Sequence, residues 1–186
     1  HEEGLLEAND LKTPFMFPVD KVDYGAVINF KRQALNNAYK RFMQKAEGHD
    51  EFETYKSENA HWLADYALFI SIKESYGGNP WWDWKEDIKM QDEKAMKNFI
   101  ADHQRDIGFH QFVQYTFNKQ WKNVKHYANE KGISIIGDIP LYVALDSADV
   151  WSNSSVFRFD ENRNPVTVAG VPPDYFNEDG QLWMMP

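Results

Sequence analysis

The segment Ile133-Ser134-Ile135-Ile136-Gly137-Asp138 decides the fold class of this 186-residue chain. Its β-branched run predicts a short buried strand with a carboxylate at its carboxyl end. The residues before it, 109–131, carry apolar side chains at helical spacing, and Gly132 stands where helices commonly end. A helix that leads into a buried strand is the repeating step of an α/β barrel or of an open parallel sheet. We therefore expect an α/β fold.

Most of the chain upstream of this strand has a helical pattern. Apolar residues recur at three- and four-residue steps, which predicts helices over 28–44, 50–75, 90–105 and 109–131. The predicted core face of the last helix comprises Phe109, Phe112, Val113, Thr116, Phe117, Trp121, Val124 and Ala128. We expect one partial domain over residues 1–186, mainly helical over 1–132, with the strand and an active-site loop over 133–186.

Composition excludes several classes of protein. The 29 acidic and 20 basic residues give a formal net charge of −9, which argues against a nucleic-acid partner. No apolar run is long enough to span a membrane. The absence of cysteine removes disulfides, thiolate metal sites and cysteine nucleophiles, and it fits a cytoplasmic location. Aromatic residues make up 16% of the chain. Either an aromatic-rich core or a sugar-binding cleft with exposed rings would explain this content.

Asp138 is the first candidate functional residue. In parallel α/β folds, polar residues at the carboxyl ends of strands face the ligand cleft. A carboxylate there can accept hydrogen bonds from ligand hydroxyl groups. The competing interpretation is structural, since Asp138 could equally cap a helix or pair with a nearby arginine.

A long irregular segment, 169–186, supplies the other candidates. Pro172-Pro173 stiffens the backbone in front of Asp174, and the aromatic content of the segment argues against disorder. The segment predicts an active-site loop whose candidate binding residues are Asp174, Tyr175, Phe176, Gln181 and Trp183. The alternative is a surface turn with two buried aromatic residues.

The remaining signals favour structural roles. Asp138, Asp146 and Asp149 lack the spacing of a calcium loop, so local capping is the better interpretation. The histidines show no metal-ligand pattern, and Trp81, Trp82 and Trp84 are expected to pack around a turn rather than to form a sugar platform. Glycine-rich phosphate loops and serine-hydrolase motifs are absent from the sequence. We therefore expect neither a metal nor another cofactor.

Four long motifs carry a resemblance to a known family. They are Gly137-Asp138-Ile139-Pro140-Leu141-Tyr142-Val143, Asp146-Ser147-Ala148-Asp149-Val150-Trp151, Val168-Ala169-Gly170-Val171-Pro172-Pro173-Asp174-Tyr175-Phe176 and Gly180-Gln181-Leu182-Trp183. On these motifs the chain resembles the bacterial 4-α-glucanotransferases, or amylomaltases, of glycoside hydrolase family 77. Further matches, such as Gly77-Gly78-Asn79-Pro80-Trp81, extend the resemblance over nearly the whole chain.

The resemblance implies a transfer of α-1,4-glucan segments between maltooligosaccharides by a retaining mechanism that uses two carboxyl groups. It implies a (β/α)8 TIM barrel with helical insertions, so this chain would be a helix-rich, partial barrel. Asp138 matches a donor-site position at the end of the third barrel strand. The segment 172–183 matches a mobile loop over the acceptor side, in which Asp174, Tyr175, Phe176, Gln181 and Trp183 match sugar-contacting positions.

Two departures from the family pattern matter. Met184-Met185 stands where the family usually has Gly-Asn. The motifs that carry the family's nucleophile, its acid/base glutamate and its third catalytic aspartate are absent from the chain. We therefore expect a fragment without catalytic residues that transfers no glucan by itself. The alternative is a non-catalytic carbohydrate-binding or structural subdomain.

Overall fold

The computed structural model describes residues 3–13, 16–45, 47–183 and 185–186. Met184, the first residue of the Met-Met departure, lies outside the described residues. Most of the chain is helical, and its helices are α1 (Tyr24–Gln44), α2 (His49–Glu58), α3 (Ala60–Ser75), α4 (Glu86–Lys89), α5 (Glu93–Asp102), α6 (Gln104–Glu130) and α7 (Ala148–Ser152). Two short strands follow, β1 (Gly170–Val171) and β2 (Gln181–Leu182).

The helix boundaries follow local capping chemistry. The Asp23 carboxylate accepts a hydrogen bond from the backbone N–H of Ala26 at 3.0 Å and so starts α1 four residues before the predicted position. The helical region predicted over 50–75 is confirmed, except that Asn59 divides it into α2 and α3. Its side-chain amide donates to the Tyr55 carbonyl at 2.8 Å, and its side-chain oxygen accepts from the Trp62 indole at 3.1 Å.

Two apolar clusters hold the helices together. The first joins α3 and α7 to the turn over 81–84, and its buried members are Phe69, Ile72, Trp81, Trp84, Ile88, Leu145, Val150 and Trp151. The second joins α1, α2 and α6 through Ala38, Tyr39, Phe42, Phe52, Phe109 and Phe112. The packing interpretation is confirmed for Trp81 and Trp84, which are buried, whereas Trp82 remains partly exposed.

The helix α6 departs from its predicted burial. Its first half packs in the second cluster, but the predicted core residues Phe117, Trp121 and Val124 are exposed. Gly132 ends the helix as predicted, with φ at +73° and the N–H of Ile133 bonded to the Ala128 carbonyl at 2.9 Å. The second half of α6 therefore presents an apolar stripe that the described residues do not cover.

The strand predicted over 133–138 is not formed. The backbone from 133 to 140 is irregular in the structure, and Ile136 is 93% exposed. A parallel strand needs a neighbour for its backbone N–H and C=O groups. Within the described ranges, no segment forms a ladder with this one, so its β-branched residues remain in solvent.

The observed sheet is a two-stranded antiparallel hairpin. Gly170 lies opposite Leu182, and Val171 lies opposite Gln181. Residues 166–168 form no strand, but the N–H of Val166 bonds to the Arg158 carbonyl at 2.8 Å, beside an isolated bridge between Phe159 and Pro165. As for membranes, no helix in the part of the chain described here has both the length and the apolar character to cross one.

Candidate functional site

The hairpin over 170–182 is held by its own backbone. Beyond the two paired strands, the N–H of Trp183 bonds to the Ala169 carbonyl at 2.8 Å. Gly180 makes the tight return possible, since its φ is +70° and a β-carbon there would lie 2.7 Å from the Val171 carbonyl oxygen. Within the segment predicted as an irregular active-site loop, two residues on each side therefore pair, and residues 172–180 form a loop between them.

The tip presents two aromatic rings to solvent. Tyr175 and Phe176 are 97% and 90% exposed, so the alternative of two buried aromatic residues is wrong. Their ring centroids lie 5.6 Å apart, with the planes at 88°. Directly before them, Asp174 accepts hydrogen bonds through Oδ1 from the backbone N–H groups of Phe176 and Asn177, at 2.9 and 2.8 Å. The carboxylate and the ring pair thus belong to one turn.

At the base of the hairpin, an amide and an indole face each other. The Gln181 side-chain oxygen accepts a hydrogen bond from the Trp183 indole N–H at 3.0 Å. The Trp183 ring also meets the ring of Tyr142, with centroids 5.7 Å apart and planes at 70°. Tyr142 lies four residues after Asp138, so this ring contact joins the hairpin to the segment that carries Asp138.

Asp138 itself lies on the open surface. Its Oδ1 accepts a hydrogen bond from the backbone N–H of Ile139 at 2.8 Å, and the residue is exposed. Of the structural roles considered from the sequence, neither a helix cap nor an ion pair with arginine is formed by Asp138 among the described residues. The carboxylate keeps oxygen lone pairs available to a ligand.

The chain that follows Asp138 is fixed firmly on the first apolar cluster. The Trp81 indole donates to the Leu145 carbonyl at 2.7 Å, and Lys73 forms an ion pair with Asp146. The Ser147 hydroxyl then caps α7 by accepting from the N–H of Val150 at 3.3 Å. These contacts therefore hold the downstream end of the Asp138 segment in place. The helix cap expected in this stretch is provided by Ser147.

Three carboxyl groups among the described residues have a clearly displaced pKa, and in each of them the pKa is lowered, whereas a general acid needs a raised one. Hydrogen bonds from the Glu7 backbone and from Arg41 lower the pKa of Asp10, and bonds from Asn164 lower that of Asp160. Burial would raise the pKa of Glu74, but its bonds and charge interactions with His110 and Arg32 outweigh burial and lower it. No cluster of acidic and histidine side chains in the described ranges could hold a metal ion.

The five hairpin candidates lie on one hairpin, and the segment that carries Asp138 contacts the base of that hairpin through Tyr142. Tyr142 lies within one of the sequence motifs but is not among the predicted candidates, because its contact with Trp183 depends on the path of the chain. A cavity of about 730 Å³ lies elsewhere, between α1, α2 and α6, and none of the six candidates lines it. The candidate site is accordingly an open surface rather than an enclosed pocket.

Comparison with known proteins connects this surface to one family. The family model for 4-alpha-glucanotransferase, Glyco_hydro_77, matches residues 1–186. The chain is 40% identical to the 4-alpha-glucanotransferase of Aquifex aeolicus (strain VF5), covering 100% of this chain and 36% of that protein. It is 42% identical to the Thermus thermophilus enzyme of the same name, over 91% of this chain and 34% of the relative.

A solved structure gives the same result. The amylomaltase from Streptococcus agalactiae in complex with acarbose superposes with a TM-score of 0.92 at 36% identity, covering 100% of this chain and 38% of that one. The chain thus spans about a third of the length of the relatives it matches. Since the family model matches it from end to end, the chain belongs to the 4-alpha-glucanotransferase family, glycoside hydrolase family 77.

Proposed function

We propose that the chain forms the donor-site aspartate and the acceptor-side hairpin of an enzyme that transfers α-1,4-glucan segments between maltooligosaccharides. The observation that carries this proposal is the exposed Tyr175–Phe176 pair on an ordered hairpin whose base contacts the Asp138 segment through Tyr142. Family membership supports it, and the related amylomaltase was solved with acarbose bound.

The chemistry of the surface suits a sugar chain. Each glucosyl unit has an apolar C–H face, which packs on aromatic rings, and a rim of hydroxyl groups, which bind carboxylates and amides. Tyr175, Phe176 and Trp183 supply rings, while Asp138 and Gln181 supply oxygen acceptors. We assign Asp138 to the donor side and the hairpin to the acceptor side.

We further propose that residues 133–138 form a strand of a (β/α)8 barrel in the complete enzyme. Their β-branched side chains and unpaired backbone groups suit a central parallel strand. The exposed stripe Phe117, Trp121 and Val124 on α6 is the kind of surface that a barrel helix packs on its sheet. The division of the chain at residue 132 into helical and barrel parts remains a prediction.

Retaining transfer requires two carboxyl groups about 5–5.5 Å apart, one as nucleophile and one as acid/base. Of the six candidate residues only Asp138 and Asp174 carry carboxyl groups, and the motifs that carry the family's catalytic carboxyl groups are absent from this sequence. We therefore propose that the 186-residue chain alone transfers no glucan. Incubation with maltotriose tests this, because glucose release above a buffer control would contradict it.

Binding is tested separately from transfer. Titration of the chain with maltoheptaose should change the emission of Trp183, and the Trp183→Phe variant should lose that part of the signal. A change in the wild-type chain with maltoheptaose but not with cellohexaose supports an α-1,4-glucan site. No change with either sugar favours the structural-subdomain alternative. A cytoplasmic location, which the absence of cysteine supports, remains a prediction.

A further inference from the structure

We propose that Asp174 and Asn177 act on saccharide binding as positioning residues, by building the turn that aims the Tyr175 and Phe176 rings, and not by touching the sugar. This inference rests on the proposed function, since it concerns how the hairpin presents its rings to a glucan. It reassigns Asp174, which the sequence analysis treated as a direct contact, and adds Asn177, which was not a candidate.

The hydrogen bonds of the tip carry the argument. Asp174 Oδ1 accepts from two consecutive backbone N–H groups, those of Phe176 and Asn177. In return, the Asn177 carbonyl accepts from the N–H of Asp174 at 3.0 Å and from the N–H of Gly180 at 3.2 Å. Asn177 Oδ1 accepts from the N–H of Asp179 at 3.0 Å. The backbone is thus bonded on both sides of the ring pair.

The rings have no other support. Tyr175 and Phe176 are almost fully exposed, and each meets only the other among the aromatic contacts of the described residues. Buried rings are oriented by the side chains packed around them, but exposed rings take their direction from the backbone that carries them. The position and direction in which the turn presents the two rings therefore depend on its backbone, which the side-chain oxygens of Asp174 and Asn177 hold together with the Asn177 carbonyl.

This role does not require the negative charge of Asp174. An asparagine at the same position offers the same Oδ1 to the same two N–H donors, and asparagine forms such turns as readily as aspartate. A direct contact with sugar hydroxyls would instead benefit from the charge, because bonds to a carboxylate are about twice as strong as neutral ones. Charge and turn geometry can therefore be separated by substitution.

The experiment compares Asp174→Asn, Asp174→Ala and Asn177→Ala with the wild-type chain, using maltoheptaose affinity by calorimetry. Glu178→Ala is the matched control, since Glu178 is exposed on the same turn and forms no side-chain hydrogen bond within the described residues. We expect Asp174→Ala and Asn177→Ala to bind roughly tenfold more weakly, and Asp174→Asn and the control to stay within about twofold of wild type. An equal loss in Asp174→Asn and Asp174→Ala would overturn the proposal in favour of a charged sugar contact.

A second readout needs no sugar. Chymotrypsin cleaves after tyrosine and phenylalanine, and a loosened turn fits its active site better than an ordered one. Cleavage after Tyr175 and Phe176, followed by mass spectrometry, should be several-fold faster in Asp174→Ala than in wild type and unchanged in Asp174→Asn. Equal rates in all three chains would contradict the positioning role. If wild type binds no maltoheptaose, the proposed function fails while this comparison still decides the role of the turn.

Discussion

The ring of Tyr142 meets the indole of Trp183 nearly edge to face, with centroids 5.7 Å apart. This contact joins two parts of the chain that are distant in sequence: the segment carrying Asp138 and the base of the hairpin that carries Tyr175 and Phe176. The Trp183 indole also donates a hydrogen bond to the Gln181 side-chain oxygen, so two partners hold this indole in place. The segment that carries Asp138 is therefore in direct contact with the base of the hairpin.

Removing this ring contact should loosen the hairpin from the Asp138 segment. An aromatic pair contributes about 0.5–1.5 kcal/mol, so Tyr142→Ala should weaken maltoheptaose binding by roughly two- to tenfold. Tyr142→Phe keeps the ring, and the Tyr142 hydroxyl forms no hydrogen bond in the described part of the chain, so this control should bind like wild type. Calorimetric titration of the three chains checks both outcomes. Equal affinity in wild type and Tyr142→Ala would show that the contact plays no part in binding.

The close approach of α1 and α6 depends on Gly108. A β-carbon there would lie 2.3 Å from the hydroxyl oxygen of Tyr39, whose ring is packed between Phe109 and Phe112. We expect Gly108→Ala to lower the free energy of unfolding by about 1–3 kcal/mol despite the better helix propensity of alanine. Denaturant unfolding measures the change.

Two further variants identify the cause of that loss. Removing the clashing hydroxyl, in the double variant Gly108→Ala with Tyr39→Phe, should restore most of the stability. Gly137→Ala is the control, because a β-carbon there meets nothing within 4 Å, and it should change stability by less than about 0.5 kcal/mol. A double variant as unstable as Gly108→Ala alone would rule out the Tyr39 hydroxyl as the cause.

Acid should weaken the junction of α1, α3 and α6 through Glu74. Its carboxylate lies 2.5 Å from Arg32 and 3.2 Å from His110, and these partners hold its pKa below the ordinary value of 4.5. Because the folded pKa is the lower one, this stabilisation is complete above the ordinary value and is lost as the pH falls through the folded pKa. Glu74→Gln should lower the free energy of unfolding by about 1–2 kcal/mol at neutral pH, and by progressively less as the pH falls.

Unfolding curves measured from about pH 7 to about pH 3 check this, since the wild-type and Glu74→Gln stabilities should converge at the acid end. Glu93→Gln is the control. Glu93 pairs with Lys97 on an exposed helix surface, so this substitution should change the free energy of unfolding by less than about 0.5 kcal/mol. If the difference in free energy of unfolding between wild type and Glu74→Gln stayed constant across this pH range, it would contradict the stabilising role assigned to the ionised Glu74 carboxylate.

Local chemistry made much of the fold predictable from sequence. Helical spacing found α1, α5 and α6 within a few residues, and the glycine at 132 marked the end of α6. The division at Asn59 was missed, because a side chain that bonds its own backbone interrupts a helix without disturbing the apolar pattern. Likewise, the proline-stiffened segment was recognised as ordered, but its hairpin register depends on pairs that sequence does not reveal.

Burial was predicted less well than helix position. The pattern on α6 and the β-branched run at 133–136 mark surfaces suited to a core, and the structure leaves both exposed. An apolar pattern indicates that a surface needs a partner, but not which residues supply it. For the candidate site, the residue types were predicted, while the contact of Tyr142 with Trp183 and the turn built by Asp174 required the structure.

The most direct test of the central claim is a map of where an α-1,4-glucan binds this chain. Backbone amide NMR shifts recorded during a maltoheptaose titration would provide that map, with cellohexaose as the control sugar. We predict saturable shifts at Asp138, Tyr142 and the hairpin over 170–183, and none with cellohexaose. Shifts confined to the cavity between α1, α2 and α6, or no shifts at all, would contradict a glucan site on the hairpin surface.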